Sequence, residues 1–525
     1  MMIKCTLLAG IALVWSAGAG AHPWSSSDLG EVDFKTACNA EAQAKFNLAM
    51  AYQHSFWYRA ATDTFNEVLK IDPSCTIAYW GLALANLRNP YVPPQPGWLK
   101  DGLAAIDKGL SLNPRSEREK GYLEALGTFY RDHDKLPHGT RQGTYAKAME
   151  ALAARYPEDQ EAQIYWALAL AVSSPPADKT YANQLRAAQI LEPIFQTHPK
   201  HPGVAHYLIH AYDYPPIAKH GLEAARRYAT IAPDSPHALH MPSHIFTRLG
   251  YWEESIEANA ASARIAKAQN EAQDEAHALD YLVYAFLQTA RDGLAAKALA
   301  ELRKIDPGRG IRTAPFAMSA APARYALERG QWAEAASLPL QPGEFAYTEA
   351  PLHFARAVGA GHTGNAAQAR DEAAKLAALI DRVKSTKDDY WVEQVDIQRR
   401  AALAWAAWAD QQHDLAIAAM TDVADREDRT EKNVVTPGPL LPAREMLAEM
   451  LLARGKNTEA LAAFEKVLAK EPNRFRAIAG AARAAQAAGD LTGATTHYQV
   501  LLTMAKEADT ERPELKLARA LLGGR

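Results

Sequence analysis

Apolar residues recur at helical spacing along most of the chain, and the pattern itself repeats about every 34 residues. The clearest unit, LAMAYQHSFWYRAATDTFNEVLKIDP (48–73), contains two apolar faces and a closing proline. The residues that define it are Leu48, Ala49 and Tyr52 in a first predicted helix, Ala61 and Phe65 in a second, and Pro73 at the end. No strand-like alternation of useful length occurs. The pattern therefore predicts an all-α fold of antiparallel helical hairpins, since proline cannot continue a helix.

A second clear unit lies near the C-terminus. LAEMLLARGKNTEALAAFEKVLAKEP (447–472) has the same residue types at the same offsets. Weaker units close at Pro114, Pro157, Pro199, Pro233 and Pro307. We expect roughly ten to twelve hairpins in one right-handed α-solenoid. It would consist of an N-terminal segment with histidine-rich repeats (22–309), degenerate helical repeats (310–440) and C-terminal repeats (441–525).

Both clear units resemble the tetratricopeptide repeat. The segments HSFWYRAATDTF, DPSCTIAYWGLALA, AHYLIHAYDYPP and PHALHMPSHIFTRLGYWEES look like a group of exported bacterial tetratricopeptide proteins that is largely unassigned in function. The resemblance implies an α-solenoid and a binding or scaffolding role. A protein or peptide partner on the concave face is the expectation that follows.

Five of the 17 histidines share one helical spacing: His206, His210, His237, His240 and His244. Counted from the closing prolines Pro199 and Pro233, two i,i+4 pairs occupy the same positions of consecutive repeats. Imidazoles four residues apart lie on one face of a helix. We therefore expect the two pairs to converge on one centre that binds Zn²⁺, Cu²⁺ or Fe²⁺.

Other residues are candidates to support this centre. Asp213, His277 and Asp280 could supply a further ligand or orient a ligating ring. His54, in the aromatic segment HSFWYRAA (54–61), either packs the first hairpins together or contributes to a ligand groove. His198, His201 and His220 are expected in turns or on the surface. Pro242 is expected to interrupt its helix.

The alternative to a metal centre is a polar layer between repeats. In that interpretation the histidines form hydrogen bonds with one another and with nearby tyrosines, because buried polar groups need partners in either case. The tyrosines concerned are Tyr207, Tyr212 and Tyr214. The spacing alone leaves both interpretations open.

The charge distribution argues against a nucleic-acid partner. The formal net charge is −4, with 57 basic and 61 acidic residues interspersed along the chain. No basic tract occurs, so we expect no nucleic-acid partner. Glycine-rich phosphate loops, H-E-x-x-H, G-x-S-x-G and C-x-x-C are all missing. Enzyme activity stays open, because a site assembled across repeats leaves no local motif.

The first 21 residues are predicted to be an export signal. Lys4 precedes a short apolar run (7–15), and Ala19-Gly20-Ala21 fits a small-x-small cleavage site. No later stretch approaches the roughly 20 apolar residues of a transmembrane helix. We therefore expect a periplasmic protein, in which Cys38 and Cys75 form a disulfide or are simply two small buried residues.

Three functions follow from these features. The first is an exported repeat scaffold that binds a protein or peptide on its concave face. The second is a metal-binding protein or a metal-dependent enzyme that uses the histidine cluster. The third is a solenoid that binds a small molecule between His54, the aromatic segment and the histidine face.

Overall fold

The structure, a computed structural model, describes residues 28–175, 177–306, 308, 312–386 and 388–523. These residues form 26 α-helices and two short 3-10 helices (218–221 and 346–348), with no strand among them. The predicted export signal lies outside the described residues. Within them, no helix is long and apolar enough to cross a membrane.

The helices follow one another with short connections. The first nine are α1 (Ala40–His54), α2 (Tyr58–Ile71), α3 (Ile77–Leu87), α4 (Pro96–Ser111), α5 (Glu117–Tyr130), α6 (His138–Arg155), α7 (Gln160–Val172), α8 (Ala182–Thr197) and α9 (Pro202–Tyr212). The next nine are α10 (Leu222–Ile231), α11 (Pro236–His240), α12 (Pro242–Leu249), α13 (Trp252–Ala268), α14 (Ala272–Gln288), α15 (Asp292–Leu302), α16 (Thr313–Glu328), α17 (Trp332–Ala336) and α18 (Ala350–His362). The last eight are α19 (Ala366–Lys384), α20 (Asp389–Ala409), α21 (His413–Asp428), α22 (Ala443–Ala453), α23 (Asn457–Lys470), α24 (Phe475–Ala487), α25 (Leu491–Met504) and α26 (Pro513–Gly523).

The two clear sequence units share one packing detail. In the first, the Phe65 ring of α2 lies where a Cβ atom on Gly81 of α3 would be, at 2.4 Å. In the second, the Phe464 ring of α23 takes the same place against Gly480 of α24, at 2.3 Å. An aromatic ring can pack directly on the next helix only because glycine has no side chain there. The repeat seen in the sequence is thus a repeat of packing.

Consecutive helices pack against each other along the whole described chain. The largest group of buried apolar side chains runs from Leu29 to Phe246, and a second group runs from Phe316 to Ala484. Helices α18–α21 form between residues 310 and 440, where the repeat pattern is weak. The predicted all-α solenoid of hairpins is confirmed. Its right-handed sense and the three segment boundaries stay predictions.

The connection between α21 and α22 (429–442) contacts helices distant in sequence. Lys432 Nζ lies 2.9 Å from Asp213 Oδ2, which follows α9. The Tyr281 hydroxyl of α14 donates to the Thr436 carbonyl, at 3.2 Å. Arg324 of α16 donates to the carbonyl of Pro439, at 2.9 Å. This connection therefore links the second half of the chain to the histidine-rich repeats.

A disulfide joins the residues before α1 and before α3. Cys38 and Cys75 are bonded, with Cα atoms 4.8 Å apart. The bridge spans the first hairpin, so α1 and α2 lie inside its closed loop. Of the two outcomes expected for these cysteines, the structure has the bridged one.

Candidate metal centre

Helix α9 presents the first histidine pair. All of its residues are buried, and it begins at Pro202, directly after the capping residue His201. His206 and His210 lie one helical turn apart, and their Nε2 atoms are 3.1 Å from each other. The i,i+4 spacing therefore places both rings on one face, as the sequence predicts.

The second pair spans a break in the backbone. The Ser235 side chain caps α11 by accepting the Ala238 N–H, and α11 ends at His240. Pro242 occupies the first turn of α12. It has no N–H to donate to a carbonyl of α11, so the helical hydrogen bonds of α11 cannot continue through it. His240 and His244 lie on either side of this interruption, with Nε2 atoms 3.1 Å apart.

The five histidines do not meet at one shared centre. They form two groups, and in each group the candidate ligand atoms lie within 4.8 Å of one another. The first histidine group is His206, His210 and His237; the second histidine group is His240, His244 and His277. The prediction of a single four-histidine centre is wrong in this respect.

The reason is the rotation of one helix. His237 precedes His240 by three residues, which is less than one turn, so its ring is displaced around α11 toward α9. Its Nε2 atom lies 3.2 Å from that of His206. His277 of α14, expected only as an outer residue, takes the third place beside His240, with ring centroids 4.3 Å apart. Each pair is thus completed by a histidine from the following part of the solenoid.

The two groups are neighbours. The His210 and His244 ring centroids are 6.1 Å apart, and those of His237 and His240 are 6.2 Å apart. Six imidazoles therefore lie in one continuous cluster at the α9–α11–α12–α14 junction.

Hydrogen bonds fix the tautomers of His240 and His244 in the second histidine group. His240 Nδ1 lies 2.7 Å from Asn259 Oδ1. The Nδ2 atom of the same amide donates to the Ser255 carbonyl, which fixes Oδ1 as the atom that faces His240. Nδ1 of His240 must therefore be the donor. His244 Nδ1 donates to Asp213 Oδ2, at 2.8 Å. In both neutral rings the proton is on Nδ1, so two Nε2 lone pairs face each other at 3.1 Å.

The first histidine group has a related conflict. His206 Nδ1 donates to the His54 carbonyl, at 2.6 Å, which leaves a single lone pair on its Nε2. Both His210 Nε2 and His237 Nε2 approach that atom, at 3.1 and 3.2 Å. One lone pair accepts one good hydrogen bond, so at least one of these contacts is unsatisfied between neutral rings.

A metal ion removes both conflicts. Metal–imidazole bonds of about 2.0–2.1 Å in a tetrahedral arrangement separate the nitrogen atoms by about 3.3 Å. The observed separations of 3.1 and 3.2 Å are close to this value. Three imidazoles suit Zn²⁺, Cu²⁺ or Fe²⁺, and hydrogen bonds from Nδ1 to a carbonyl, an amide or a carboxylate are the usual support of histidine ligands.

Burial keeps the rings in the form that binds metals. It holds the pKa of His210 well below 6.5, and the neighbouring His244 and His237 rings lower it further. Burial and the neighbouring His240 and His244 rings do the same to the pKa of His277. Neutral imidazole, with a free lone pair, is therefore the favoured form at neutral pH.

Asp213 contacts one ring of the second histidine group, that of His244. Its Oδ2 accepts from His244 and Lys432, and its Oδ1 accepts from Arg248 Nε at 2.8 Å. Burial would raise the pKa of Asp213, but the charges of Lys432 and Arg248 hold it well below 3.8. The carboxylate is therefore ionised and can only accept the His244 proton.

Asp280 does not support the histidines, contrary to expectation. Among the described residues neither of its oxygens has a hydrogen-bond partner, and the Arg324 guanidinium lies beside it, with Nε at 3.8 Å. Burial raises the pKa of Asp280 to about 6, although Arg324 opposes this. The expectation fails because of the position of Asp280 around α14, which directs its side chain toward α16 and not toward α12.

A third cluster needs no ion. His54 Nε2 and His201 Nε2 each lie 3.0 Å from a different oxygen of Glu161. His54 Nδ1 accepts from the Tyr207 hydroxyl at 3.0 Å, and His201 Nδ1 accepts from the Val204 N–H at 3.3 Å. Every proton thus has one acceptor with both rings neutral. We interpret this cluster as a structural hydrogen-bond network.

This third cluster contains two residues whose positions the sequence did not reveal. His201 lies in the turn between α8 and α9, as expected, but it is buried and not on the surface. Glu161 belongs to no recognised motif, although it shares an apolar face of α7 with Tyr165 and Leu168. A carboxylate on such a face is the signal that could have identified it.

Aromatic rings enclose the first histidine group. Phe56 packs against His206, His210 and His237 with centroid distances of 4.3, 5.8 and 5.4 Å. Its backbone φ is +54°, a region that phenylalanine rarely adopts. Tyr91 also stacks on His210, with ring centroids 4.5 Å apart. A strained residue directly against candidate ligands is typical of functional sites.

Two of the three tyrosines of the polar-layer interpretation form hydrogen bonds elsewhere. The Tyr207 hydroxyl contacts His54, and the Tyr212 hydroxyl donates to Glu192. Neither satisfies a ring of the two histidine groups. This observation favours a metal over a tyrosine-supported layer.

Comparisons with known proteins identify the repeat. Residues 42–75 match the tetratricopeptide repeat family. No curated protein matches the chain.

Several solved structures are similar to the chain at low TM-scores. A structure of Naa15/Naa10 bound to HypK-THB has a TM-score of 0.24 and 14% identity, and covers 92% of this chain and 74% of that one. The human IFIT1 dimer with m7Gppp-AAAA has a TM-score of 0.33 and 11% identity, covering 82% and 90%. The APC/C hetero-tetramer Cut9-Hcn1 has a TM-score of 0.28 and 12% identity, covering 92% and 97%.

The matched stretch corresponds to α1, α2 and the turn that follows them. The same Phe–Gly packing recurs at α23 and α24. Residues 42–75 are therefore one tetratricopeptide repeat, in a chain whose described residues form stacked helical hairpins.

Proposed function

We propose that this chain is a metal-binding protein whose two histidine groups each bind one transition-metal ion. The observation that carries the proposal is the contact between His240 Nε2 and His244 Nε2, at 3.1 Å with both Nδ1 protons engaged elsewhere. Two lone pairs held that close in a buried site repel each other unless a cation lies between them.

The donor set restricts the ion. Imidazole nitrogen suits zinc, copper and iron, whereas magnesium and calcium prefer oxygen ligands. Three protein ligands leave a coordination position for water or a small molecule, as in catalytic zinc sites. Two such ions side by side could act on one bound molecule, and this supports a metal-dependent enzyme as the finer form of the proposal.

Partner binding is the second candidate function. The tetratricopeptide repeat at 42–75 favours a protein-interaction scaffold, because stacked repeats form an extended concave surface. A protein or peptide on that surface and export to the periplasm are both part of this proposal. The Cys38–Cys75 disulfide supports export, since such bonds persist in oxidising compartments.

Metal content of the purified, untagged protein tests the main proposal. After supplementation with zinc, copper or iron, we expect about two ions per chain, one for each histidine group. The double variants His206→Ala/His210→Ala and His240→Ala/His244→Ala should each lose about one ion, while far-UV circular dichroism keeps its helical signal.

His201→Ala is the matched control, because it removes a buried histidine from the cluster that is satisfied without an ion. It should keep both ions. A wild-type protein that stays free of metal in every supplementation would refute the proposal. If His240→Ala/His244→Ala then also unfolds at lower temperature, the polar layer is the correct interpretation.

A further inference from the structure

The two histidine groups have the same construction. Each consists of three imidazoles, two from an i,i+4 pair and one from the next part of the solenoid. In both groups a ring is held through its Nδ1 atom, that of His206 by the His54 carbonyl and that of His240 by the Asn259 side chain. Two ions bound by such similar neighbours would face one molecule symmetrically, which suits a molecule with two equivalent ends.

The donor set narrows the choice of metal. Iron sites in proteins usually include a carboxylate ligand, as in centres of two histidines and one carboxylate and in carboxylate-rich di-iron bundles. Both groups here consist of imidazoles, which are uncharged as ligands. This set of nitrogen donors favours copper or zinc over iron.

Charge distinguishes copper from zinc. Two carboxylates contact rings of the groups, Asp213 at His244 and Asp274 at His237, and Arg248 and Lys432 match them in number. Two Zn²⁺ ions would add four positive charges that these residues do not balance, and unbalanced charge is costly in a buried site. Two Cu⁺ ions add only two. Copper is therefore the ion whose charge this site accepts best.

The rings are almost closed to solvent. His206, His240 and His244 are at most 2% exposed. The most open rings are those of His277, at 8%, and of His237, whose side chain is 14% exposed. So small an opening admits a molecule of a few atoms and excludes a peptide or a sugar.

Aromatic rings border both groups. Phe56 packs on the first group, and the Tyr281 ring lies 4.7 and 5.4 Å from the rings of His240 and His244 in the second. The Tyr281 hydroxyl donates to the Thr436 carbonyl, so its proton is not available to the ions. These neighbours would protect an anion between the ions from protonation and from water.

We propose that the two histidine groups form a copper pair that binds dioxygen between its ions. This step rests on the proposed metal function and names the molecule that the pair takes up. Each Cu⁺ gives one electron to O₂, so two Cu²⁺ ions and one bridging peroxide form, with two new Cu–O bonds and a single O–O bond. No proton moves, and the summed charge of the ions and the bound oxygen stays the same. The electrons return to the copper ions when O₂ leaves, so binding is reversible.

Dioxygen uptake by copper-loaded protein tests the proposal. The full chain is loaded with Cu⁺ without air and then exposed to O₂. We expect uptake of about one O₂ per two copper ions and a new charge-transfer absorption. The electron paramagnetic resonance signal should account for less than about a tenth of the copper, because the two Cu²⁺ spins couple through the bridge. Hydrogen peroxide added to the Cu²⁺ protein should give the same absorption, since it supplies the same peroxide.

Variants assign the effect to the two groups. His206→Ala/His210→Ala keeps one ion, so it should take up no O₂, and nearly all of its oxidised copper should give a paramagnetic signal. His277→Ala leaves both i,i+4 pairs intact and should weaken O₂ binding at least about tenfold. His220→Ala removes an exposed histidine outside both groups and is the matched control, which should behave as wild type.

The failure of this proposal differs from the failure of the metal proposal. Two bound copper ions with uncoupled spins and no O₂ uptake would overturn the copper–dioxygen pair and leave metal binding intact. Two bound zinc ions in a chain that rejects copper would do the same. Coupled spins that persist in His206→Ala/His210→Ala would also overturn the pair, because the copper would then lie elsewhere. A chain that binds no metal refutes both proposals.

Discussion

Asp213 is the residue that connects the histidine cluster to two buried cations. It follows α9 directly, accepts a hydrogen bond from His244 and is paired with Arg248 and Lys432, and all of these side chains are buried. A histidine ligand is held in one tautomer and one orientation by such a contact. The same carboxylate neutralises two cations that would otherwise be costly to bury.

Replacing Asp213 by asparagine should therefore affect metal binding and stability together. The amide still accepts from His244 but loses its charge, so we expect metal affinity to fall about 10- to 100-fold at the second histidine group. The free energy of unfolding should fall by about 3 kcal/mol, because Arg248 and Lys432 lose their counter-ion. Competition with a chelator and urea denaturation measure the two effects.

Asp280→Asn is the control for this experiment. Asp280 is an equally buried carboxylate beside an arginine, but it bonds to no histidine. It should change stability without changing metal affinity. If Asp213→Asn behaves in the same way, Asp213 has no role in orienting a ligand.

The residue scale also shows what the sequence could reveal about the site. The pairs at 206/210 and 240/244 were predictable, because a helix fixes the i,i+4 relation locally. The third member of each group was not, because it depends on how far α11 is rotated and on where α14 lies. The support from Asp213 was predictable from its position after α9, whereas the direction of Asp280 required the packing of α16.

At the scale of helices, the position of α9 depends on its close contact with the end of α1. Gly203 is in its first turn, and a Cβ there would be 2.3 Å from Nδ1 of His54. The carbonyl of His54 accepts the Nδ1 proton of His206. One glycine thus lets α9 lie against the end of α1, so that a backbone atom of α1 can orient a candidate ligand on α9.

Gly203→Ala should disturb both contacts. The added methyl group must displace the buried His54, so we expect a loss of about 1–3 kcal/mol in the free energy of unfolding. Metal affinity at the first histidine group should fall as well. Gly139→Ala in α6 is the control, since no atom lies within 4 Å of its Cβ position, and it should be neutral or slightly stabilising. Equal behaviour of the two variants would contradict this account of α9.

The helices themselves were largely readable from the sequence. Each hairpin is stabilised by neighbours close in the chain, so its apolar period and closing proline indicate it without knowledge of the rest. The interruption at Pro242 was predictable for the same reason. Between 310 and 440 the helices persist although the signature fades, because alanine-rich amphipathic segments still bury one face.

At the scale of the whole molecule, the connection 429–442 crosses to the histidine-rich repeats. Lys432 contacts Asp213 although 219 residues separate them. Glu431 accepts from Lys179 and from the Tyr181 hydroxyl, at 2.8 and 3.0 Å. No local pattern indicates such contacts, since they depend on how the superhelix curves. The sequence around 429–442 therefore does not reveal which helices this connection contacts.

Lys432→Met should separate stability from metal binding. Asp213 keeps Arg248 as a partner, so we expect a loss of only about 2 kcal/mol in the free energy of unfolding. Metal affinity should rise severalfold, because a buried positive charge close to both ions is removed. Urea denaturation of the metal-free protein and chelator competition give the two values. Weaker metal binding in this variant would contradict the proposed position of the ions.

Each histidine group takes its members from more than one hairpin, and this affects how the solenoid folds. Neither group is complete within one hairpin, since α9 needs α11, and α11 with α12 needs α14. An ion can be captured only after successive hairpins have stacked, and once bound it opposes their separation. A bound metal ion would thus hold adjacent turns of the superhelix together. Metal binding would also show that this part of the chain has finished folding.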